Sequence, residues 1–192
     1  TQSGMLSSDI LMTNRSLPIV HTVSIGNQLN IKIEDLIEYF CSKNEVNVIG
    51  LHIEGIKDLN LFIKACLKSL RNKKPIVVFK TGTSNIGKSL TMSHTGSLSG
   101  DENLYNALFK KIGIISINNV ETFLETLKFL SVNTIQFHKN ILAFTCSGGG
   151  ATMIADYAEK KNLHFPTFKK KSQKIMEKLL PSIASVSNPL DY

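Results

Sequence analysis

The sequence has few cysteines and no long apolar segment, and these two absences exclude several classes of protein. Its three cysteines, Cys41, Cys66 and Cys146, lie far apart, which argues against a disulfide-stabilised scaffold and fits a reducing compartment. No apolar run approaches the ~20 residues that a membrane-spanning helix needs, and no signal-peptide pattern stands at the start. We therefore expect a cytoplasmic protein, with an organellar matrix as the alternative, and no membrane partner.

The composition also excludes a disordered, collagen-like or coiled-coil chain. Hydrophobic residues make up 42% of the 192 residues and charged residues 19%, with a mean hydropathy of +0.03, which is enough apolar material for a core. The net charge of +7 suggests an anionic ligand or partner. Because the chain does not begin with Met, we expect a fragment of a longer protein, with one domain or two small ones.

Apolar, β-rich runs alternate with segments of helical periodicity, which predicts an α/β fold. The runs are nearly continuous, as in strands that are buried on both faces; they are Ile19–Ile25, Val46–Ile53, Pro75–Phe79, Ile112–Ile117 and Asn140–Thr145. Between them, apolar residues recur at helical spacing, most clearly from Leu59 to Leu70 and from Val120 to Leu130. This alternation predicts parallel strands joined by right-handed crossovers, in an open sheet with helices on both faces.

A polar segment without clear periodicity, Ser131–Lys139, interrupts this alternation and predicts a boundary between two subdomains. We place the first at 1–131 and the second, which is partial, at 132–192. The chain's final segment, Ser182–Tyr192, has no periodicity and is interpreted as a linker.

The segment Thr81–Gly100 has the composition of a phosphate-binding loop. Thirteen of its 20 residues are Gly, Ser or Thr, and it contains no Asp or Glu. Hydroxyl groups and glycine N–H groups without a nearby carboxylate suit an anion. His94, between Ser93 and Thr95, is a candidate nucleophile, because a neutral imidazole can accept and release a phosphoryl group. The alternative is a flexible surface loop with an incidental histidine.

The segment Phe144–Tyr157 reads as a strand, a glycine-rich turn and a helix. Its glycines, Gly148, Gly149 and Gly150, would let a ligand approach the N–H groups and the positive end of the helix. The pattern is neither G-x-G-x-x-G nor a Walker A sequence, so a dinucleotide or P-loop site is poorly supported. The alternative is a turn that needs glycine for packing. We interpret Cys146 as a small core residue, because no nearby His or Lys would lower the pKa of its thiol.

Two further features are candidates for the same site. Ser3 and Gly4 open a predicted helix, either as an ordinary N-cap or as a second anion-binding helix start. Glu54 follows a predicted strand, where the ligand crevice of an open α/β sheet lies. Its carboxylate could accept a hydrogen bond from an imidazole and strengthen the other nitrogen as a nucleophile. Alternatively, Glu54 could be an acidic residue at the start of a helix from Ile56 to Arg71.

The remaining histidines and lysines give weaker signals. No pair of residues has the spacing of metal ligands, so we expect no metal held by this chain alone. Seven lysines lie between Lys160 and Lys178. Because only two aromatic residues, Phe165 and Phe168, lie among them, a solvated helix face is favoured over a nucleic-acid site.

Six segments together resemble the central part of the NDP-forming acyl-CoA synthetases, the superfamily of succinyl-CoA synthetase and ADP-forming acetyl-CoA synthetase. The most specific is SHTGSLSG at 93–100, which is similar to the phosphohistidine loop S-H-T-G-[AS]-L-[AS]-G and includes Gly96. The others occur in the right order and at the right distances along essentially the whole chain: TQSG (1–4), SIGNQLNIKIEDLIEYF (24–40), IEGIKD (53–58), TCSGGGA (145–151) and SNPLDY (187–192).

The resemblance implies two flavodoxin-like subdomains, each a doubly wound parallel sheet, and an acid–thiol ligase of the ADP-forming acetate–CoA ligase type. Acyl-CoA and phosphate would give an acyl phosphate, His94 would accept the phosphoryl group on a swinging loop, and ADP would become ATP. Glu54 would hydrogen-bond to His94. Ser3, Gly4 and the turn at 148–150 would bind phosphate.

The resemblance also implies partners and cofactors. CoA, phosphate and ATP or ADP with Mg²⁺ would serve the full-length enzyme, which we expect to be oligomeric, with none bound firmly by this fragment. A CoA-binding domain and an ATP-grasp domain, in the same chain or in a partner subunit, would complete the reaction. The alternative is a catalytically silent acyl-CoA-sensing module of a protein lysine acetyltransferase. The acyl group and the choice between ADP and GDP are not predicted.

Two positions depart from the family's patterns. Gly150 stands where the family's T-[NS]-[AS]-G-G-P-G has Pro, so the helix start would lose a preset first residue. Thr83 replaces a common Arg. Neither change touches His94 or Glu54.

Overall fold

The computed structural model of the chain describes Gly4, residues 16–87, Ser89, residues 102–132 and residues 138–192. The chain divides into two units, Thr1–Thr134 and Ile135–Tyr192. In both units, parallel strands alternate with helices, so the predicted α/β class is confirmed.

Three parallel strands form the sheet of the first unit. They are β1 (Ile49–Ile53), β2 (Ile76–Lys80) and β3 (Ile115–Ile117), in the order β1-β2-β3. In this register Ile53 lies opposite Lys80, and Phe79 lies opposite Ile117. The middle strand begins with three fully buried β-branched residues, Ile76, Val77 and Val78, as expected for a strand with helices on both faces.

Helices cover both faces of this sheet and form two clusters of buried residues. They are α1 (Ile33–Phe40), α2 (Leu59–Arg71), α3 (Glu102–Ile112) and α4 (Val120–Val132). The first three pack in the larger cluster, which contains the fully buried Phe62 and Phe109. On the other face, Phe123 and Leu124 of α4 pack against Val77. The apolar stripes that predicted α2 and α4 therefore face the sheet.

The ends of α2 and α3 are set by ordinary capping residues. Asp58 precedes α2, and its side-chain Oδ1 accepts a hydrogen bond of 2.9 Å from the N–H of Leu61, which satisfies one of the free donors of the first turn. Lys68 and Arg71 lie in the last turn, where positive charge is favourable. Gly113 follows α3 with a φ of +78°, a backbone conformation that glycine adopts without strain.

The absence of a side chain at Gly50 lets α4 approach β1 closely. A Cβ atom at this position would lie 2.7 Å from Cδ1 of Leu127 and 3.1 Å from the ring of Phe123. A larger residue at this position would therefore require the Leu127 side chain to move and the ring of Phe123 to give way slightly.

The prediction that Ile19–Ile25 forms a strand is wrong. The segment is not paired with β1, and Ile19 and Val20 are 40% and 55% exposed. A cavity of about 310 Å³ lies along it, and its lining includes residues of α1, β1 and α4. The apolar composition of the segment therefore does not ensure that a neighbouring strand pairs with it.

The second unit contains two short parallel strands, β4 (Phe144–Thr145) and β5 (Leu190–Asp191), with helices α5 (Gly148–Lys160) and α6 (Lys170–Leu179) between them. Asn188 ties three chain segments together: its amide donates to the carbonyl oxygens of Ile141 and Pro166, and its Oδ1 accepts from the N–H of Ala143. The part predicted as a linker thus supplies β5. None of the helices that the structure describes is long and apolar enough to span a membrane.

Glu34, in the first turn of α1, is a buried acid. Its side chain is 4% exposed, and neither carboxyl oxygen has a hydrogen-bond partner among the described residues. Burial together with this acid raises the pKa of the Cys66 thiol to about 12. Since an unpaired polar group inside a protein loses its hydration without compensation, Glu34 is expected to reduce the stability of the unit.

Replacing Glu34 by Met should raise the free energy of unfolding by about 1–3 kcal/mol, because a side chain of similar length then fills the space without a buried polar group. Urea denaturation of the chain measures this change. The matched control is Glu38→Gln on the same helix, where the half-exposed acid contacts Lys68 at 3.4 Å and the expected change is below ~1 kcal/mol. A destabilised Glu34→Met variant would contradict the interpretation.

Candidate functional site

The carboxyl ends of β1 and β2 bring Glu54 and Thr81 to the same edge of the first sheet. The strand ladder extends just past β2, since the N–H of Thr81 donates to the carbonyl oxygen of Ile53 over 3.0 Å. Glu54 is the residue after Ile53, and Thr81 opens the segment that leads to His94 in the sequence. This edge is where ligands bind in open α/β sheets.

Glu54 is not the acidic start of a helix. It is half-buried, and α2 begins five residues later, at Leu59, with Asp58 as its cap. This finding removes the alternative in which the dipole of that helix explains the glutamate. Glu54 therefore remains a candidate for chemistry at the sheet edge.

Lys80, the last residue of β2, holds this edge together. Its Nζ donates to the carbonyl oxygen of Glu54 over 2.7 Å and to that of Thr81 over 2.6 Å. It also lies 4.8 Å from the ring centre of Tyr105 in α3, a favourable cation–π distance. One ammonium group thus contacts the residues that follow β1 and β2, and a ring of α3.

His52 is buried beside the same edge. Its Nε2 lies 3.0 Å from Oγ1 of Thr81, and its ring stacks on Phe79 at 5.4 Å. Burial, with a smaller contribution from the positive charge of Lys80, lowers the pKa of His52 to about 4. His52 is therefore neutral at physiological pH.

Gly4 is exposed and helical, and it lies close to the loop that begins at Ser24. A Cβ on Gly4 would be 3.8 Å from Oγ of Ser24. Four residues further along, the buried Gln28 donates through its side-chain amide to the carbonyl oxygen of Gly55 over 3.4 Å. The loop from Ser24 to Gln28 thus connects the surroundings of Gly4 with the residue that follows Glu54.

Several predicted site residues lie outside the described part of the chain. They are Ser3, Ser93, His94, Thr95 and Gly96. Their roles remain predictions.

The glycine-rich turn of the second unit is the first turn of α5. Ser147 is the N-cap, and its Oγ accepts a hydrogen bond of 3.2 Å from the N–H of Gly150. Within the described residues, no group accepts a hydrogen bond from the N–H of Gly148 or Gly149. Two donors at the positive end of a 13-residue helix could therefore bind an anion.

A carboxylate lies beside this helix start, which the sequence had not indicated. A Cβ on Gly148 would be 3.2 Å from Oδ2 of Asp191 in β5. The acid is favourably placed for the helix dipole, and an anion bound at the same N–H groups would have to tolerate its charge.

Two expectations for this turn are wrong. Gly150 is the third residue of α5 rather than its first, so a proline there would not have preset the first position. Cys146 is exposed, because it lies in the turn between β4 and the N-cap rather than under the sheet. The structure therefore gives no packing reason for a cysteine at this position.

Among the described residues, no group of three His, Cys, Asp or Glu side chains is arranged to hold a metal ion.

The sequence did not indicate two residues of this edge, Lys80 and Gln28. A lysine at the end of an otherwise apolar strand was the available signal for the first. Gln28 has a φ of +53°, and nothing in the residue order indicates that conformation.

The low pKa of His52 predicts a pH dependence of stability. The folded chain protonates His52 near pH 4, whereas the unfolded chain does so near the ordinary value of 6.5. The unfolded chain thus binds more protons in this window, and the free energy of unfolding should fall as the pH decreases from about 6.5 to about 4. Urea denaturation of His52→Gln should show a smaller slope. The control His138→Gln, at an exposed site, should keep the full slope, and an equal slope in both variants would refute the assignment.

The two neighbouring glycines of α5 should respond differently to alanine. At Gly150 the new Cβ would lie 2.8 Å from Oγ1 of Thr145, whereas at Gly149 the nearest described atom is 3.7 Å away. Gly150→Ala should destabilise the chain by about 1–3 kcal/mol through this overlap. Gly149→Ala should stabilise it by about 0.5–1 kcal/mol, because alanine favours the helix. Denaturant unfolding measures both, and equal effects would contradict the packing.

Comparison with known proteins gives matches along the whole chain. The family described as succinyl-CoA ligase like flavodoxin domain matches residues 1–130. An ADP-forming acetate–CoA ligase of Methanocaldococcus jannaschii is 36% identical over 193 residues, covering 100% of this chain and 27% of the relative. The alpha subunit of ADP-forming acetate–CoA ligase II of Pyrococcus furiosus is 31% identical over 193 residues, covering 100% of this chain and 42% of the subunit.

A solved structure shares the fold. The dinucleotide-forming acetyl-coenzyme A synthetase 1 of Ca. Korarchaeum cryptofilum, in complex with phosphate and ADP, superposes with a TM-score of 0.83 at 28% identity, over 99% of this chain and 42% of that one. The chain thus spans less than half the length of each of these proteins. Since the family match covers more than half of the chain, this protein belongs to the succinyl-CoA ligase like flavodoxin domain family.

Proposed function

We propose that the chain is the phosphohistidine-bearing part of an NDP-forming acyl-CoA synthetase. The enzyme would interconvert acyl-CoA, ADP and phosphate with a carboxylate, CoA and ATP. The observation that carries the proposal is the position of Glu54 at the carboxyl edge of β1, beside Thr81, where the segment with His94 begins. The similarity to acetate–CoA ligases over the whole chain supports it.

In the first step, an oxygen of inorganic phosphate attacks the carbonyl carbon of the thioester. The C–S bond breaks, the sulfur leaves with the electron pair and takes a proton as CoA, and an acyl phosphate forms. The N–H groups of Gly148 and Gly149 would hold phosphate oxygens at the start of α5. Ser3 and Gly4, which the sequence predicts to open a second helix, would contribute donors of the same kind.

In the second step, a neutral imidazole nitrogen of His94 attacks phosphorus. The bond from phosphorus to the acyl oxygen breaks, and the carboxylate leaves with the electron pair. The other ring nitrogen keeps its proton, so the ring becomes positively charged. Glu54 would accept a hydrogen bond from that N–H and stabilise the charge as it develops. Ser93, Thr95 and Gly96 would supply hydroxyl and N–H donors around the phosphoryl group.

In the third step, an oxygen of the β-phosphate of ADP attacks phosphorus, and the N–P bond breaks with its electron pair returning to the imidazole. ATP and neutral His94 result. The nucleotide with its Mg²⁺, and CoA, would bind to ATP-grasp and CoA-binding domains in the same chain or a partner subunit. The length of the relatives leaves room for such parts. We propose cytoplasmic oligomers of the complete protein, and flavodoxin-like subdomains at 1–131 and 132–192.

The second candidate function is a silent acyl-CoA-sensing module of a lysine acetyltransferase. A module that only binds acyl-CoA needs neither a phosphoryl acceptor nor a carboxylate beside it. This chain keeps both His94 and Glu54, and Glu54 lies at the ligand edge of its sheet. These residues favour the enzyme.

Phosphorylation of the complete protein tests the function. After incubation with ATP labelled at the γ-phosphate, the wild type should carry an acid-labile, base-stable label, and His94→Asn should carry none. Glu54→Gln should be labelled about 10²-fold more slowly in single-turnover measurements, because the positive ring loses its carboxylate partner. Glu45→Gln, at an exposed acid of the same unit, is the matched control and should be labelled at the wild-type rate. Label that persists in His94→Asn would defeat the proposal.

A further inference from the structure

We propose that Lys80 is a positioning residue for phosphoryl transfer, because it fastens the backbone at Glu54 to the backbone at Thr81. The inference rests on the proposed function and extends it to a residue outside the predicted site. Both points of attachment are main-chain carbonyl oxygens, at 2.7 Å and 2.6 Å from Nζ. One is on the proposed carboxylate partner, and the other begins the segment that contains His94.

The location of this contact explains why a side chain is needed there. Among the backbone bonds between described residues, the last one that joins the two strands runs from the N–H of Thr81 to the oxygen of Ile53. The next carbonyl oxygen along the chain is that of Glu54. The amine of Lys80 donates to it, so that the side chain continues the connection between the two strands for one more residue.

A third contact brings in the helix that follows the His94 segment. Nζ of Lys80 lies 4.8 Å from the ring centre of Tyr105, in the first turns of α3, and Tyr105 packs on the fully buried Phe109. The ring is thus anchored in the core. The ammonium group thus contacts Thr81 at the start of the His94 segment, Tyr105 in the helix that follows the segment, and Glu54.

The chemistry of lysine suits this arrangement better than that of arginine. An ammonium group is compact and has three donors that rotate freely, whereas a guanidinium group presents its donors in a rigid plane. Bonds from a charged donor to carbonyl oxygens are short and strong, and Lys80, Glu54 and Thr81 are all half-buried, which limits competition from water. Lys80 therefore fixes the position from which the Glu54 side chain departs.

The step that Lys80 serves is the transfer of a phosphoryl group to His94. The imidazole nitrogen forms a bond to phosphorus while the bond from phosphorus to the leaving oxygen breaks, and that oxygen keeps the electron pair. A carboxylate displaced by about 1 Å from the ring N–H would stabilise the developing charge poorly, and displacements of this size can reduce rates about 10²-fold.

The test measures phosphorylation of the complete protein by labelled ATP over a range of concentrations up to saturation. Lys80→Met keeps the length of the side chain and removes both bonds, and it should slow labelling about 10- to 100-fold, with the KM for ATP changed less than about threefold. Lys80→Arg should also be slow, because its rigid fork cannot reproduce both bonds. Lys74→Met is the matched control, since Nζ of Lys74 donates to the carbonyl oxygen of Lys43, and it should be labelled at the wild-type rate.

A double-mutant cycle separates a positioning role from a general structural one. If Lys80 acts through Glu54, then adding Lys80→Met to Glu54→Gln should slow labelling by less than about threefold. A full additional 10- to 100-fold loss would overturn the proposal, as would Lys80→Met or Lys80→Arg at the wild-type rate. Should Lys80→Met fail to fold, as judged by circular dichroism, Lys80→Arg takes its place throughout the cycle.

The same measurements keep this proposal distinct from the function on which it rests. An unlabelled wild type, or a labelled His94→Asn, defeats the phosphohistidine itself. A labelled wild type with an unlabelled His94→Asn, together with a fast Lys80→Met, defeats only the role of Lys80.

Discussion

The parallel pairing of β1 with β2 is the constraint on which the rest of the first unit depends. Since Ile53 lies opposite Lys80, the residues that follow each strand, Glu54 and Thr81, must emerge side by side. A shift of the register by one residue would reverse the faces to which the side chains point. The side chain of Lys80 would then point to the opposite face of the sheet, and its amine would no longer reach the carbonyl oxygen of Glu54. The buried residues Ile76 and Val78 on one face, and Val77 on the other, hold that register because each fits a different layer of helices.

The sequence predicted those parts of the fold that depend on local periodicity. The apolar stripe from Leu59 to Leu70 determines which face of α2 is buried, whatever lies opposite, and the continuous run at Ile76–Phe79 indicates a central strand by itself. Glu54 was found for the same reason, since its position follows from the end of one strand. Lys80 and His52 could not be assigned in this way. Their roles arise from contacts with Glu54, Thr81 and Phe79, and these contacts exist only once two strands are in register.

Two of the wrong predictions have a common physical origin, which is that the composition of a segment does not specify the elements that surround it. Ile19–Ile25 has the residues of a buried strand, but a strand also needs a neighbour that accepts its hydrogen bonds, and the segment borders a cavity instead. Cys146 has the size of a core residue, but the turn between β4 and α5 keeps it exposed. In both cases the residue types are those that the predicted structure needs, but the neighbouring elements leave the segment unpaired or the residue exposed.

Glycine at position 150, in place of the family's proline, changes the stability of the helix start through two opposing effects. A proline in the first turn would reduce the freedom of the unfolded chain, an effect of about 0.4–1 kcal/mol, but it has no N–H to donate. With glycine, the N–H at this position is available, and Oγ of Ser147 accepts it over 3.2 Å, in an N-cap that is typically worth about 1 kcal/mol. The two effects are similar in size and opposite in direction, so the substitution leaves the stability of the helix start almost unchanged.

The substitution also leaves the donors available to an anion unchanged, because these are the N–H groups of Gly148 and Gly149. The departure therefore does not weaken the proposal that phosphate binds at the start of α5.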